Sequence, residues 1–482
     1  MNNECTIENY EQLREEIKDA NANLTGVILR EKEKLADEKL RLLKDSFRKS
    51  VGDRFIYDIP VLSDRELAES PLYRFCHRLP KGAELHVHDM TLLPVSELVP
   101  LLADCPEFCI STDRSSCDLV LAPPSEPVPE GYMRFSEAIR TGYYTCGDLL
   151  HGWTTLGAAD SGCKAWPFLE RLFDRQAVLS GNPAFAAKYY DRAFRYYCRN
   201  NIMHIEIHIM LTDSIDDSAD YARAVRQAYY DVKKDYPYFT VRLIGAGVKA
   251  DSENIEFTKM CFLNASYVQE TVRDESDPNH VRDFLIGFDL VNEEDTSLPL
   301  RAFVPMLLKV KKRYPSMKLY IHGGESLDAS NDNLIDAYLL GVSRVGHGLN
   351  LYRFPDLHAR YVRSEICLEL CPVSNQRLGY TVDVRSHPAT EYLRSGIAVS
   401  LCSDDPAYME NESLTDDFFA AVVCWDLELA DLKQLGINSI LYSGLEQEDK
   451  IAALKTYNRL WNDFIDEFTK SSPDGPASAD QE

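Results

Sequence analysis

Eight short apolar runs, at 83–88, 203–209, 240–245, 284–290, 317–321, 343–346, 366–370 and 397–401, set the rhythm of this chain. Each is followed by polar or glycine-rich residues and then by a helical stretch. Strand–helix alternation of this kind requires a parallel sheet. Eight such units predict closure into an α/β (β/α)8, or TIM, barrel, here assigned to 79–470. Before it, 1–78 read as a helical extension, in which Ile28, Leu29, Leu35, Leu40, Leu42, Leu43 and Phe47 recur at helical spacing. That extension is either a packing cap or a dimerisation arm. An insertion at about 95–145 follows the first strand. Its proline-rich stretch 122–129 excludes a regular helix or a central strand. Helices are predicted over 166–179 and 183–199, and a disordered tail over 471–482.

Composition removes several classes of function. The chain has 482 residues and a formal net charge of -25, with 45% hydrophobic and 27% charged residues. An acidic balance of that size opposes a nucleic-acid backbone, which basic surfaces bind. The apolar runs are far too short to cross a bilayer. No basic segment followed by an apolar one opens the chain, so a secretory signal is not expected. The 13 cysteines are odd in number and lack a framework spacing, which fits reduced thiols and a cytoplasmic location. Cys105, Cys109 and Cys117 lack the fourth ligand of a structural zinc site.

Working residues of such barrels sit where strands end. Strand one ends in His86 and His88, strand five in His322-Gly323-Gly324-Glu325, strand six in Gly346-His347-Gly348, and strand eight in Ser403-Asp404-Asp405-Pro406. His86 and His88, one residue apart on a strand, project to the same side. A lone His-X-His also occurs on ordinary surface strands, His347 alone reads as a core histidine, and Asp404-Asp405-Pro406 alone reads as a turn. Their joint placement at strand ends favours a site. Three imidazoles and a carboxylate, His86, His88, His322 and Asp404, suit one zinc ion with a position left for water. Glu325 and Asp405 supply proton carriers beside it.

These stretches resemble the adenosine deaminase family of metal-dependent amidohydrolases. The likeness rests on Glu84-Leu85-His86-Val87-His88, His322-Gly323-Gly324-Glu325, Arg344-Val345-Gly346-His347-Gly348, Cys371-Pro372-Val373-Ser374-Asn375 and Ser403-Asp404-Asp405-Pro406. Pro80-Lys81-Gly82, Asp89 and Gly287-Phe288-Asp289-Leu290-Val291 resemble its growth-factor-related branch. The resemblance implies hydrolytic conversion of adenosine to inosine and ammonia with one zinc ion per subunit. In that reading Glu325 donates a proton to purine N1, His347 orients the attacking water, and Asp405 accepts from the water or faces purine N7. Asp89 is expected to hold a ribose hydroxyl. The partner is a purine nucleoside, and elements like those that pair subunits in the branch imply a homodimer.

Three positions depart from the family pattern. Asn292 stands where glycine is usual, His208 where an arginine is common, and Gly245-Ala246-Gly247-Val248 lacks a histidine of the branch. Trp166 either covers the pocket or packs a helix. The rival readings are deamination of another aminopurine and a silent binding protein of the same fold. The full ligand set with Glu325 opposes the second.

Overall fold

The computed structural model describes residues 11, 12, 14, 24–52, 67, 69–156, 165–211, 214–277 and 279–470. Eight parallel strands form its centre. They are β1 (Gly82–His88), β2 (Ile202–Met210), β3 (Thr240–Val248), β4 (Leu285–Val291), β5 (Lys318–Leu319 and then Ile321–Gly323), β6 (Arg344–His347), β7 (Cys367–Leu370) and β8 (Ala398–Leu401). Consecutive strands pair in parallel along β1 to β4, β4 with the first piece of β5, and its second piece through β8. The Tyr320 amide, between the two pieces of β5, donates to Phe288. A parallel bridge between Val87 and Asp404, with His88 N–H to Asp404 O and Asp404 N–H to His86 O at 3.0 Å each, closes the ring. The chain is a closed barrel, and each of the eight predicted runs lies on one of its strands.

β2 is buried on both faces: Ile205, Ile207 and Ile209 fill one, and the buried polar residues His204, Glu206 and His208 fill the other. The helices between strands bury one face each. Ile215–Asp235 starts on Ser214, whose side chain accepts from the Asp217 amide, carries Asp216 and Asp217 in its first turn and ends in Lys233 and Lys234. That order complements the helix dipole. Its Ala222, Val225, Tyr229 and Val232 pack inward.

Between β1 and the helix Pro183–Arg199 lie the helices Val95–Ala103, Phe135–Arg140, Cys146–Trp153 and Ala165–Ser180. Phe108–Ser111 pairs antiparallel with Leu119–Leu121 on one side and Tyr132–Arg134 on the other. The proline-rich 122–129 forms no helix or strand. Its carbonyls are met by Arg134, which donates to Ala122 O at 2.7 Å, Pro123 O at 3.1 Å and Glu126 O at 3.0 Å.

Of the predicted helical extension, Glu31–Val51 is described as a helix; 15–23, 53–66 and the tail 471–482 lie outside the described residues. Ala36, Leu40, Leu43 and Phe47 are buried, while Leu35 and Leu42 are exposed. The helix is clamped through Glu33, which accepts from Lys433 Nζ at 2.6 Å and Trp461 Nε1 at 2.8 Å, and also pairs with Arg30. Burial alone would raise this carboxyl, but those donors hold it at about 2 against the ordinary 4.5. Its contribution to stability is therefore full above about pH 4.5 and is lost as pH falls toward 2. Glu33→Ala is expected to lower the melting temperature by the equivalent of about 1–3 kcal/mol, since it leaves the buried Trp461 N–H and the half-buried Lys433 without their acceptor. Glu33→Gln is expected to flatten the acid limb of a melting-temperature profile; an unchanged limb would show the clamp to be inert.

Candidate active site

The ends of β1, β5, β6 and β8 converge at the floor of a cavity of about 780 Å³, lined by His88, His322, Glu325, His347, Asp404 and Asp405 among others. All six are buried except His88, whose side chain is partly exposed. His88 Nε2 lies 3.2 Å from both His322 Nε2 and Asp404 Oδ1. His86 Nε2 lies 3.7 Å from the same carboxylate oxygen. The expected ligand set is thus assembled from three strand ends. His347, read from sequence as catalytic, offers a nitrogen within 4.8 Å of His86, His322 and Asp404.

Long-range partners aim the imidazoles. His86 Nδ1 meets Glu369 Oε2 at 2.9 Å, and His322 Nδ1 meets Asp289 Oδ2 at 2.6 Å. Both rings consequently turn Nε2 toward the cluster, and His86 Nε2 is buried without a hydrogen-bond partner. An orphaned buried nitrogen, two further imidazoles and a carboxylate are the donor set of a divalent metal. The residues present fit such an ion. His86 also explains Gly346, because a Cβ there would stand 2.6 Å from His86 Cε1.

Backbone geometry is unusual where chemistry is expected. His347 and Asp404 have φ of 67° and 64°, and Asn292 has φ of 112°. Non-glycine residues adopt such angles at a cost and cluster at working sites. Asn292 thus keeps a glycine-like backbone, and its side chain lines the cavity and donates to Ser297 Oγ at 3.3 Å.

The carboxyl groups divide sharply. Burial pushes Glu325 well above the usual range, with Asp404 adding repulsion. Burial likewise raises Asp405 to about 7. Burial would raise Asp404 too, but the facing imidazoles of His86 and His88 hold it well below; Ser374 Oγ also donates to it at 2.6 Å. Glu325 Oε1 has no hydrogen-bond partner among the described residues and lies 3.6 Å from His347 Nε2. Glu325 is thus biased toward its acid form, Asp405 is poised to give or take a proton near pH 7, and Asp404 is biased toward its ionised form, the spread that proton transfer at neutral pH needs.

The remaining expected residues are on the wall. Trp166 lines the cavity and donates its indole N–H to Tyr380 Oη at 2.9 Å. Asp89 is present, but Tyr190 and Tyr221 already donate to its carboxylate, Tyr221 at 2.7 and 2.9 Å. Sequence reasoning assigned no role to Asp289, Glu369 and Glu294. The Glu294 carboxylate accepts the amides of Gly324, Glu325 and Ser326 at 3.1, 2.8 and 3.1 Å, fixing the loop that carries Glu325. Their one signal was an acidic residue inside or just after an apolar strand. His208 lies 2.8 Å from Asp289 through Nδ1 and packs its ring on His86, His88 and His322.

Comparison with known proteins decides the class. The adenosine deaminase family model matches residues 183–458, more than half of the chain. The chain belongs to the adenosine deaminase family. Members of the family are hydrolytic deaminases, and so is this enzyme. Adenosine deaminase 2 of Dictyostelium discoideum is 28% identical over 422 residues, 83% of this chain and 75% of that protein. The barrel is also similar to the N6-methyl-AMP deaminase of Arabidopsis thaliana, at TM-score 0.58 and 16% identity over 80% of this chain and 98% of that one. An amidohydrolase from Burkholderia ambifaria with bound zinc superimposes at TM-score 0.58 and 18% identity over 83% and 96%. These two likenesses bear on fold.

Replacing Asp289 with Asn is expected to weaken divalent-metal affinity roughly 10–100-fold, the usual cost of losing the partner of a ligand histidine. Competition with a chelating dye measures it, and wild-type affinity would remove Asp289 from that role.

Proposed function

We propose that the protein is a zinc-dependent nucleoside deaminase that converts adenosine, or a modified adenosine, and water into inosine and ammonia. The observation that carries this reading is the convergence of His86, His88, His322 and Asp404 beside a carboxyl group, Glu325, whose acid form burial favours. The four ligands would hold the ion, whose Lewis acidity supplies a water nucleophile near neutral pH.

The chain's own groups do the rest. Glu325 gives its proton to purine N1, which draws electron density from C6 and opens that carbon to water. His347, rigid in its positive-φ turn, and Asp405 orient the water and take up the proton it releases. Amino nitrogen leaves C6 as ammonia once protonated. Asn292 stands beside the purine and adds a polar side chain where the family usually exposes backbone alone, so 6-amino purines altered elsewhere on the ring or sugar are the second reading. The cavity wall bears on the sugar end: Asp174, Asp217 and Asp220 line it, and among the described residues no lysine or arginine does. Such a wall repels a phosphate, so the reading is of a nucleoside, not a nucleotide.

Absorbance assays of zinc-loaded enzyme with adenosine, 2'-deoxyadenosine, 5'-methylthioadenosine, adenine and AMP test this. Adenosine turnover lost on chelation is expected, with kcat/KM for AMP lower roughly tenfold or more because like charges oppose each other. Glu325→Gln should keep zinc and lower kcat by roughly 10²–10⁴, the usual worth of a positioned acid. Undiminished turnover in that variant would overturn the proton-donor role, and AMP preferred over adenosine would overturn the nucleoside reading.

A further inference from the structure

One helix, Ala165–Ser180, separates two cavities. Trp166, Phe173, Gln176 and Ala177 line the catalytic one. Phe168, Arg171, Leu172 and Arg175, spaced i, i+3, i+4 and i+7, line a second cavity of about 880 Å³ on the opposite side. Its far wall is the turn containing Arg114, Ser115 and Ser116 and the helix Cys146–Trp153, which brings His151.

Arg175 is the unusual feature of this second cavity. It is only 7% exposed, and its Nε has no hydrogen-bond partner among the described residues. Its guanidinium carbon sits 4.8 Å over the Trp153 ring and 5.3 Å over the Tyr408 ring, and one Nη donates weakly to Trp153 O at 3.4 Å. Stacking occupies the faces of a guanidinium and leaves its N–H edges for an oxyanion. Among the described residues no carboxylate lies within ion-pair distance of Arg175 or of Arg171, whose guanidinium stacks on Phe168 at 4.9 Å. Of the two acids on the wall, Asp118 is exposed, while Asp148 is engaged, pairing with Arg114 at 2.5 Å and capping its own helix on Thr145. A buried guanidinium without a carboxylate is costly unless an anion completes it.

We propose that this cavity is a second binding site, separate from the catalytic one, for a small ligand bearing a phosphate group. Arg171 and Arg175 bind its oxygens by charge-assisted hydrogen bonds, and Arg114 lines the same space. Three arginines gathered in a chain of net charge -25 make the site selective for a compact anion. A long polyanion would meet the acidic surface around it.

Isothermal titration of the metal-loaded enzyme at constant ionic strength, with inorganic phosphate and separately with ribose 5-phosphate, tests the proposal. One saturable site per chain is expected, weakened roughly tenfold or more by Arg171→Gln and by Arg175→Gln. Glu325→Gln should bind as wild type does, so this result stands or falls apart from the deaminase reading. Tighter binding of inorganic phosphate identifies the free ion as ligand, and tighter binding of the sugar phosphate identifies a phosphorylated metabolite; both support the site. Absence of saturable binding of either at tens of millimolar would overturn it. So would wild-type affinity in Arg171→Gln, a substitution at an exposed position that leaves folding intact should Arg175→Gln fail to fold.

Discussion

Arg344 lies inside the barrel, fully buried, and the metal-binding end of the molecule depends on it. Its Nη2 pairs with Glu206 on β2 and its Nε with Glu369 on β7, each at 2.5 Å, while the guanidinium covers the ring of Tyr320 at 4.1 Å. Two buried carboxylates without that cation would each face the cost of desolvated charge. With it, Glu369 keeps an ionised oxygen for His86 Nδ1. One cation thus fixes the orientation of a ligand from another strand. Truncating Arg344 would disturb charge balance and ligand geometry at once, which is why a position this deep is not interchangeable with an apolar residue of the same volume.

A second layer does for β5 what Arg344 does for β1. Asp289, near the end of β4, accepts a hydrogen bond from His322 Nδ1 and another from its backbone N–H at 3.0 Å. A few residues on, Glu294 binds three successive amides of the loop after β5, and Lys249 from the end of β3 donates to the His322 carbonyl at 3.2 Å. His322 and Glu325, three residues later, are therefore both positioned from the neighbouring β3 and β4 ends. Adjacent strands of a parallel barrel deliver this cheaply, because their ends lie side by side and point the same way.

The same contrast explains what could be read from the chain alone. The eight strands were legible because strands in a barrel buried on both faces are rich in apolar residues and recur between helical stretches, and the histidines and Asp404-Asp405 because each motif is local and lies where such a run stops. The supporting carboxylates were not legible. His86 and Glu369 are 283 positions apart, and nothing in the neighbourhood of Glu369 distinguishes a partner for a histidine from a charge facing solvent. Asn292 was visible as a departure from glycine, yet its backbone holds φ at 112°. The residue changed while the turn stayed, so the change acts through the side chain. The second cavity was hidden for a similar reason: Arg114 and Arg175 meet only because the segment after β1 folds back on itself.

The charge balance of the catalytic floor makes the case for a cation independently of any relative. Asp404, Asp405, Glu325, Asp289 and Glu294 are all buried there, and the buried lysine that faces them, Lys249, is already engaged by Glu294 and a carbonyl. Burial answers part of that excess by favouring the acid form of Glu325 and, up to about pH 7, of Asp405. The rest falls to the imidazoles: Asp404 is held low by His86 and His88, and it pushes both of them toward their protonated form. A group of buried acids that is only partly neutralised is a liability for a fold that gains a few kcal/mol in total. A divalent ion among them would convert the liability into binding energy, and since the unfolded chain has no such site, that energy would add directly to the stability of the barrel.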